Sequence, residues 1–143
     1  MLIGLDPLLG PELLQALRAM GHGDDIALVD ANFPAATMGR RLIRADGVDL
    51  PRLLGAVLTV LPLDETEPHA AAAMEVVGAP ARREPIHLEI ERLLAARARP
   101  ATALHYMERH AFYGRARDAY AIVSSGECRL YGNVILRKGA IGP

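Results

Sequence analysis

The sequence predicts an α/β fold, a single-domain layered sheet with helices packed on it. Three observations carry this expectation. Short apolar runs of strand type alternate with amphipathic helical stretches along the chain, the pattern of a sheet covered by helices. The 143 residues are 51% hydrophobic and 23% charged, enough apolar material for one core at a length that suits one domain over residues 1–143. No internal repeat or low-complexity tract interrupts the alternation.

The elements follow in order. Residues 11–20 read as a helix, with Pro11 at its start, apolar positions 13, 14, 17 and 20 at helical spacing, and Gly21 as terminator. Residues 26–29 form a short apolar strand closed by Asp30, the loop 31–35 follows, and 42–45 is a second strand. Asp49 caps a helix over 50–61, with Pro51 tolerated in the first turn and Pro62 closing it. Residues 70–77 read as a strand, although their alanines suit a helix as well. After a turn at 80–85, residues 86–99 alternate an apolar face with Arg and Glu, which predicts a helix. Strand 103–107, helix 109–118, strand 120–124, a turn at Gly126-Glu127 and strand 134–136 complete the chain.

Composition excludes several classes. Sixteen basic and 17 acidic residues give a formal net charge of −1, so no nucleic-acid partner is expected. The lone Cys128 has no internal partner for a disulfide. The N-terminus has no basic n-region and meets Asp6, Pro7 and Pro11 before an apolar run develops, so no secretory signal is expected. The longest apolar stretch, 53–63, includes Gly55, Thr59 and Pro62 and falls short of the roughly 20 residues of a membrane span. A cytoplasmic location is expected, with no membrane partner. Lys138 is the single lysine against 15 arginines, a bias that coding composition explains as well as chemistry does. Alanine richness and two Phe, four Tyr and no Trp limit the bulk for a deep private core, a hint that burial is completed against a neighbouring subunit.

The motifs need weighing. Gly21-His22-Gly23 is not a dinucleotide loop, because it follows a helix and precedes a strand. Its glycines allow a sharp turn and leave the imidazole uncrowded, so His22 is either a functional group or a solvated turn histidine. Asp30 ends an apolar strand beside a loop, a common place for a site and equally for a turn acid. Asp24 and Asp25 either orient His22 or form a solvated turn. His69, His87 and His105 are scattered without metal-ligand spacing, so no zinc site is expected. Ser124-Ser125 lacks a nucleophile elbow, and Cys128 reads as an inert thiol despite Arg129 beside it. Arg109-His110-Ala111-Phe112-Tyr113 and Tyr131-Gly132-Asn133 supply a guanidinium, aromatic faces and an amide, the inventory of a pocket for a small polar ligand such as a sugar. A solvated helix end and a hairpin turn account for the same residues.

Longer blocks are more specific. The chain resembles the fucose mutarotase/ribose pyranase family, in its fucose mutarotase branch, through Met20-Gly21-His22-Gly23-Asp24-Asp25-Ile26, Asp30-Ala31-Asn32-Phe33-Pro34 and Ile43-Arg44-Ala45-Asp46-Gly47. The likeness continues in Ala111-Phe112-Tyr113-Gly114-Arg115-Ala116, Ala121-Ile122-Val123 and Tyr131-Gly132-Asn133-Val134-Ile135-Leu136-Arg137-Lys138-Gly139, while 62–99 matches only loosely. The resemblance implies an isomerase that interconverts the anomers of a free monosaccharide, L-fucose first, without a cofactor. It places the acid/base histidine at His22. Substrate binding falls to Asp30, Arg109, Tyr131, Gly132 and Asn133. His110 departs from the family's hydrophobic habit at that position. The resemblance further implies self-association into a ring-like homo-oligomer, often a decamer, with pockets near subunit boundaries. D-ribose pyranase is the alternative within the family, and a non-catalytic sugar-binding or transport-accessory module is the alternative outside catalysis. The chemistry fits independently, since histidine's unperturbed pKa of about 6.5 lets it move protons both ways near neutrality.

Overall fold

Pro11 begins α1 (Pro11–Ala19) where its missing N–H costs nothing, and Leu13, Ala16 and Leu17 form the buried stripe. There follow β1 (Asp25–Val29), α2 (Ala35–Met38), β2 (Leu42–Ala45), α3 (Leu50–Val57), β3 (Ala71–Met74) and α4 (Pro85–Arg97). The chain ends with β4 (His105–Met107), α5 (Arg109–Asp118), β5 (Ala121–Ser125) and β6 (Val134–Arg137). The computed structural model describes residues 1–143.

All six strands join one sheet in the order β2-β5-β1-β6-β3-β4. Strands β2, β5 and β1 are mutually parallel, as are β3 and β4. Between the two sets lies β6, antiparallel to both β1 and β3. Period-two alternation then splits the core. Ile26 and Leu28 of β1, with Val134 and Leu136 of β6, meet the apolar stripes of α1, α3 and α4 in the larger cluster. Ala27, Val29, Ile122 and Ile135 face the other way, onto Phe112 and Ala116 of α5 and Ala35 of α2. The α/β layered architecture expected from the alternation is the one observed.

Differences from the expected elements have local causes. Helix α2 spans four residues, too few for a 3.6-residue period to register in the sequence. Helix α3, capped as expected by Asp49 accepting from the Arg52 N–H, ends at Val57 rather than 61. Beyond it the turn tightens, because Thr59 bonds back to the Ala56 carbonyl through both its N–H and its hydroxyl. The alanine run resolves as strand: β3 is buried at every position between β6 and β4, where a strand reads as a continuous apolar run.

Candidate active site

The carboxyl end of β1 builds a floor. Asp30 is the first residue beyond the strand, and the antiparallel register of β6, with Val134 opposite Leu28, delivers Asn133 beside it. The Asn133 amide is matched twice: its Oδ1 accepts the Asp30 N–H at 3.0 Å, and its Nδ2 donates to Asp30 Oδ2 at 2.9 Å. The Asn32 N–H donates to Asp30 Oδ1 at 2.9 Å. Both side chains are buried, yet each carboxylate oxygen keeps a second lone pair. Burial raises the Asp30 carboxyl above the ordinary aspartate value of 3.8; the bonds from Asn32, Asn133 and Phe33 oppose the rise and the Glu127 charge adds to it.

Above the floor opens a cavity of about 200 Å³. Asp30, Asn32, Asn133, Arg109, Tyr113 and Tyr131 provide its polar groups, and Phe33, Pro34, Met74, Val77 and Leu130 its apolar wall. That is smaller than the roughly 300–1,000 Å³ of drug-sized sites and suits a small molecule. Phe33 meets the Tyr113 ring edge-on at 5.5 Å, and the Arg109 guanidinium lies 5.9 Å from the same ring. Tyr131 holds a left-handed backbone, φ 65°, a conformation that costs a non-glycine residue of order 1–3 kcal/mol. Its hydroxyl accepts the Val77 N–H at 3.2 Å, tying the last loop to the chain after β3. Gly132 is where the loop has no room, since a Cβ there would lie 2.6 Å from Glu127 Cγ. The buried Glu127 carboxylate in turn takes the Arg129 N–H and guanidinium at 2.9 Å, and Arg129 reaches Glu89 at 2.7 Å. Hydrogen bonding from Arg129 holds Glu127 below its ordinary 4.5 against the opposing effect of burial.

His22 stands at the opposite end of β1. Five extended residues at about 3.3 Å each set roughly 16 Å of strand between the two sites. The expectation that Asp30 borders and orients the His22 imidazole is therefore corrected for a single chain. The carboxylate beside His22 is Asp64, with Oδ2 at 3.3 Å from Nε2; the imidazole is 53% exposed and the Asp64 side chain 4%. Asp64 Oδ1 accepts both the N–H and the hydroxyl of Thr66, at 2.9 and 2.8 Å. These bonds, with a lesser contribution from His22, hold the Asp64 carboxyl below 3.8. Neither Asp24 nor Asp25 orients the imidazole. Asp24 accepts the Gly21 N–H at 2.8 Å and closes the turn, in which Gly23 takes φ 86°. Asp25 is gripped by Arg115 and Arg137 through four bonds of 2.8–3.1 Å.

The remaining candidates lie outside the cavity. His69 and His105 stack at 3.7 Å, and His87 is buried beside Tyr106 and Tyr131. No group of three His, Cys, Asp or Glu side chains is placed to hold a metal ion. Ser125 donates its hydroxyl to the Val29 carbonyl at 2.7 Å. The unusual His110 is exposed on α5, where its N–H donates to the capping Glu108; it does not line the cavity. No helix is long and apolar enough to cross a membrane.

The profile of the RbsD / FucU transport protein family matches residues 3–141. The chain belongs to this family. Within the RbsD / FucU family it is 49% identical to the fucose mutarotase of Homo sapiens over 144 residues, covering 96% of this chain and 93% of that one. It is 43% identical to the L-fucose mutarotase of Glaesserella parasuis serovar 5 (strain SH0165), over 97% of this chain and 95% of the relative. The crystal structure of the fucose mutarotase of Streptococcus pneumoniae in complex with L-fucose superposes with a TM-score of 0.92 at 38% identity, covering 99% and 100% of the two chains. The RbsD of Bacillus subtilis complexed with D-ribose shares the fold, with a TM-score of 0.75 at 20% identity over 94% and 95%. For this RbsD / FucU member, the structure brings Asp30, Asn133, Tyr131 and Arg109 to one cavity, sets Gly132 behind it, and leaves His22 apart. Sequence reasoning missed Asp64 and Glu127. Asp64 is one of three acids in Asp64-Glu65-Thr66-Glu67 with no spacing signal to single it out, and its partner His22 is far off along the chain.

Proposed function

We propose that this chain is an L-fucose mutarotase, interconverting the α and β anomers of the free sugar by general acid/base catalysis. The observation that carries the reading is the preformed Asp30–Asn133 floor under a small cavity with an apolar wall and a guanidinium at its rim. A 6-deoxy sugar presents hydroxyls to such a floor and a methyl group to such a wall. Asp30 accepts a sugar hydroxyl on its free lone pairs, Asn133 and Arg109 hold neighbouring oxygens, and Tyr131 lies against the ring. The imidazole of His22, steadied by Asp64, takes the proton of the anomeric hydroxyl as the ring C1–O bond breaks and protonates the ring oxygen. Rotation about C1–C2 and reclosure by the reverse steps give the other anomer. A positioned acid/base is worth roughly 10²–10⁴-fold, enough for a reaction that water already carries.

The cavity of one chain holds no imidazole, and rigid β1 keeps His22 from it. We therefore assign the complete site to two copies, the His22 end of one seated on the cavity of the next. Such a head-to-tail contact, repeated with a rotation that closes, makes a ring. Exposed apolar side chains at both ends support it, Val77 and Leu130 at the cavity and Val60 and Ile141 near Lys138. A cytoplasmic location suits the exposed unpaired Cys128. The test is saturation transfer between anomeric protons by NMR. Transfer with L-fucose above the buffer rate is expected; transfer with D-ribose alone would make the chain a ribose pyranase, and sugar binding without transfer would make it a binding module.

A further inference from the structure

We propose that Lys138 is the positioning residue for His22, holding the Gly21-His22-Gly23 turn at its working distance from Asp64; this rests on the catalytic reading of His22. The ammonium donates to the carbonyls of Leu17 at 2.7 Å and Met20 at 2.6 Å, two acceptors that the end of α1 leaves unpaired within the helix. The backbone of the same residue grips the far side of the turn. Its carbonyl accepts the Gly23 N–H at 2.8 Å and its N–H donates to the Asp24 carbonyl at 2.9 Å. Lys138 thus bonds Met20, two residues before His22, and Gly23, directly after it. It also reaches the partner: Leu63 bridges to Lys138, and the Asp64 N–H donates to the Arg137 carbonyl at 3.1 Å. Next to it, a Cβ on Gly139 would run into the Leu63 carbonyl, so the two segments are as close as backbones come. The Arg137-Lys138-Gly139 segment therefore sets where the imidazole and its carboxylate stand relative to each other, and the Lys138 ammonium ties that segment to the end of α1.

The choice of lysine follows from shape. Leu5, Leu14, Leu17, Val60 and Pro62 wall the groove around the Lys138 stem, and both side-chain partners are carbonyls. A compact ammonium donates tetrahedrally to two converging carbonyls, whereas a planar guanidinium spreads its donors over a wider fork. In a chain whose other 15 cations are arginines, the only lysine stands where two backbone carbonyls converge on a single ammonium.

The experiment removes and restores the ammonium. In a Cys128→Ser background, Lys138→Cys is assayed for L-fucose anomer exchange before and after alkylation with 2-bromoethylamine, which rebuilds a side chain of lysine length. All rates are taken on the ring-sized fraction from gel filtration. The thiol form is expected to lose at least tenfold in kcat with KM within twofold, since the Asp30–Asn133 floor is remote, and aminoethylation is expected to return at least half of kcat. Lys138→Arg, which keeps the charge and the fold, is expected to lose several-fold in kcat. Full kcat in either unrepaired variant, or a loss that follows ring dissociation alone, overturns the assignment. His22→Ala separates the two levels: if it retains full exchange the catalytic reading falls, whereas a dead His22→Ala beside a fully active Lys138→Arg removes only the role of Lys138.

Discussion

Asp25 and Asp30 sit at the two ends of the same strand and are treated in opposite ways. Asp25 would be raised by burial, but Arg115 and Arg137 outweigh that and hold it below 3.8. Asp30 is buried with only neutral donors around it and is pushed up. The first is an ion cluster that binds β1 to α5 and β6; the second is a carboxylate whose charge is left for something else to satisfy. The same contrast separates the two halves of the site. Asp30 is fixed by bonds to Asn32 and Asn133 at the bottom of a cavity, whereas His22 is half in solvent and held by one 3.3 Å contact. Under the proposed assignment, recognition is built rigid and buried, and the proton carrier is presented outward on a glycine turn. A mutarotase profits from that division, because the sugar must be gripped while its ring opens and the carrier must reach two oxygens in turn.

The division can be broken from either side. His22→Ala is expected to lower exchange by roughly 10²–10⁴-fold while L-fucose affinity, read by ligand-observed NMR, stays within a few-fold. Asp30→Asn should do the reverse, weakening binding by about ten- to a hundredfold, the worth of a hydrogen bond to a charged acceptor; unchanged affinity would make Asp30 a structural cap. Mixing the two defective proteins sharpens the comparison. If each site takes His22 from one copy and Asp30 from the next, random reassembly restores about a quarter of wild-type exchange, whereas a site within one chain restores none. The smallest effects on exchange, and the clearest on stability, come from pH. The stabilisation from Asp25 is present above 3.8 and lost as pH falls through its lowered value; for Asp30 the sign reverses, and stability declines as pH rises from 3.8 through its raised value. Chemical denaturation from pH 3 to 6 should therefore show Asp25→Asn erasing a gain and Asp30→Asn erasing a loss. Removing Asp25 also strands two arginines, at about 3 kcal/mol.

The elements that the sequence displayed were those with local causes. Pro11 starts α1 and Asp49 caps α3 by chemistry contained in a few neighbouring residues. Asp30 and the Tyr131-Gly132-Asn133 segment were legible as candidates, and the β1–β6 register makes them one floor. The place of His22 relative to Asp30 was not legible. A short sequence separation suggests proximity, but an extended strand turns it into distance. Asp64 was hidden for the converse reason, since only the pairing of Leu63 with Lys138 brings it to the imidazole.

The position of β6 carries a consequence for synthesis. Of the six strands, the one that joins the two parallel sets is the last synthesised, and every residue that lines the cavity precedes it in the chain. Until then β1 and β3 each present an unpaired edge, the kind of surface that recruits strands from other chains. A chain stopped before Val134 would therefore lack the strand that joins β2-β5-β1 to β3-β4, and both edges would stay unpaired. Pairing of both edges waits on Val134–Arg137.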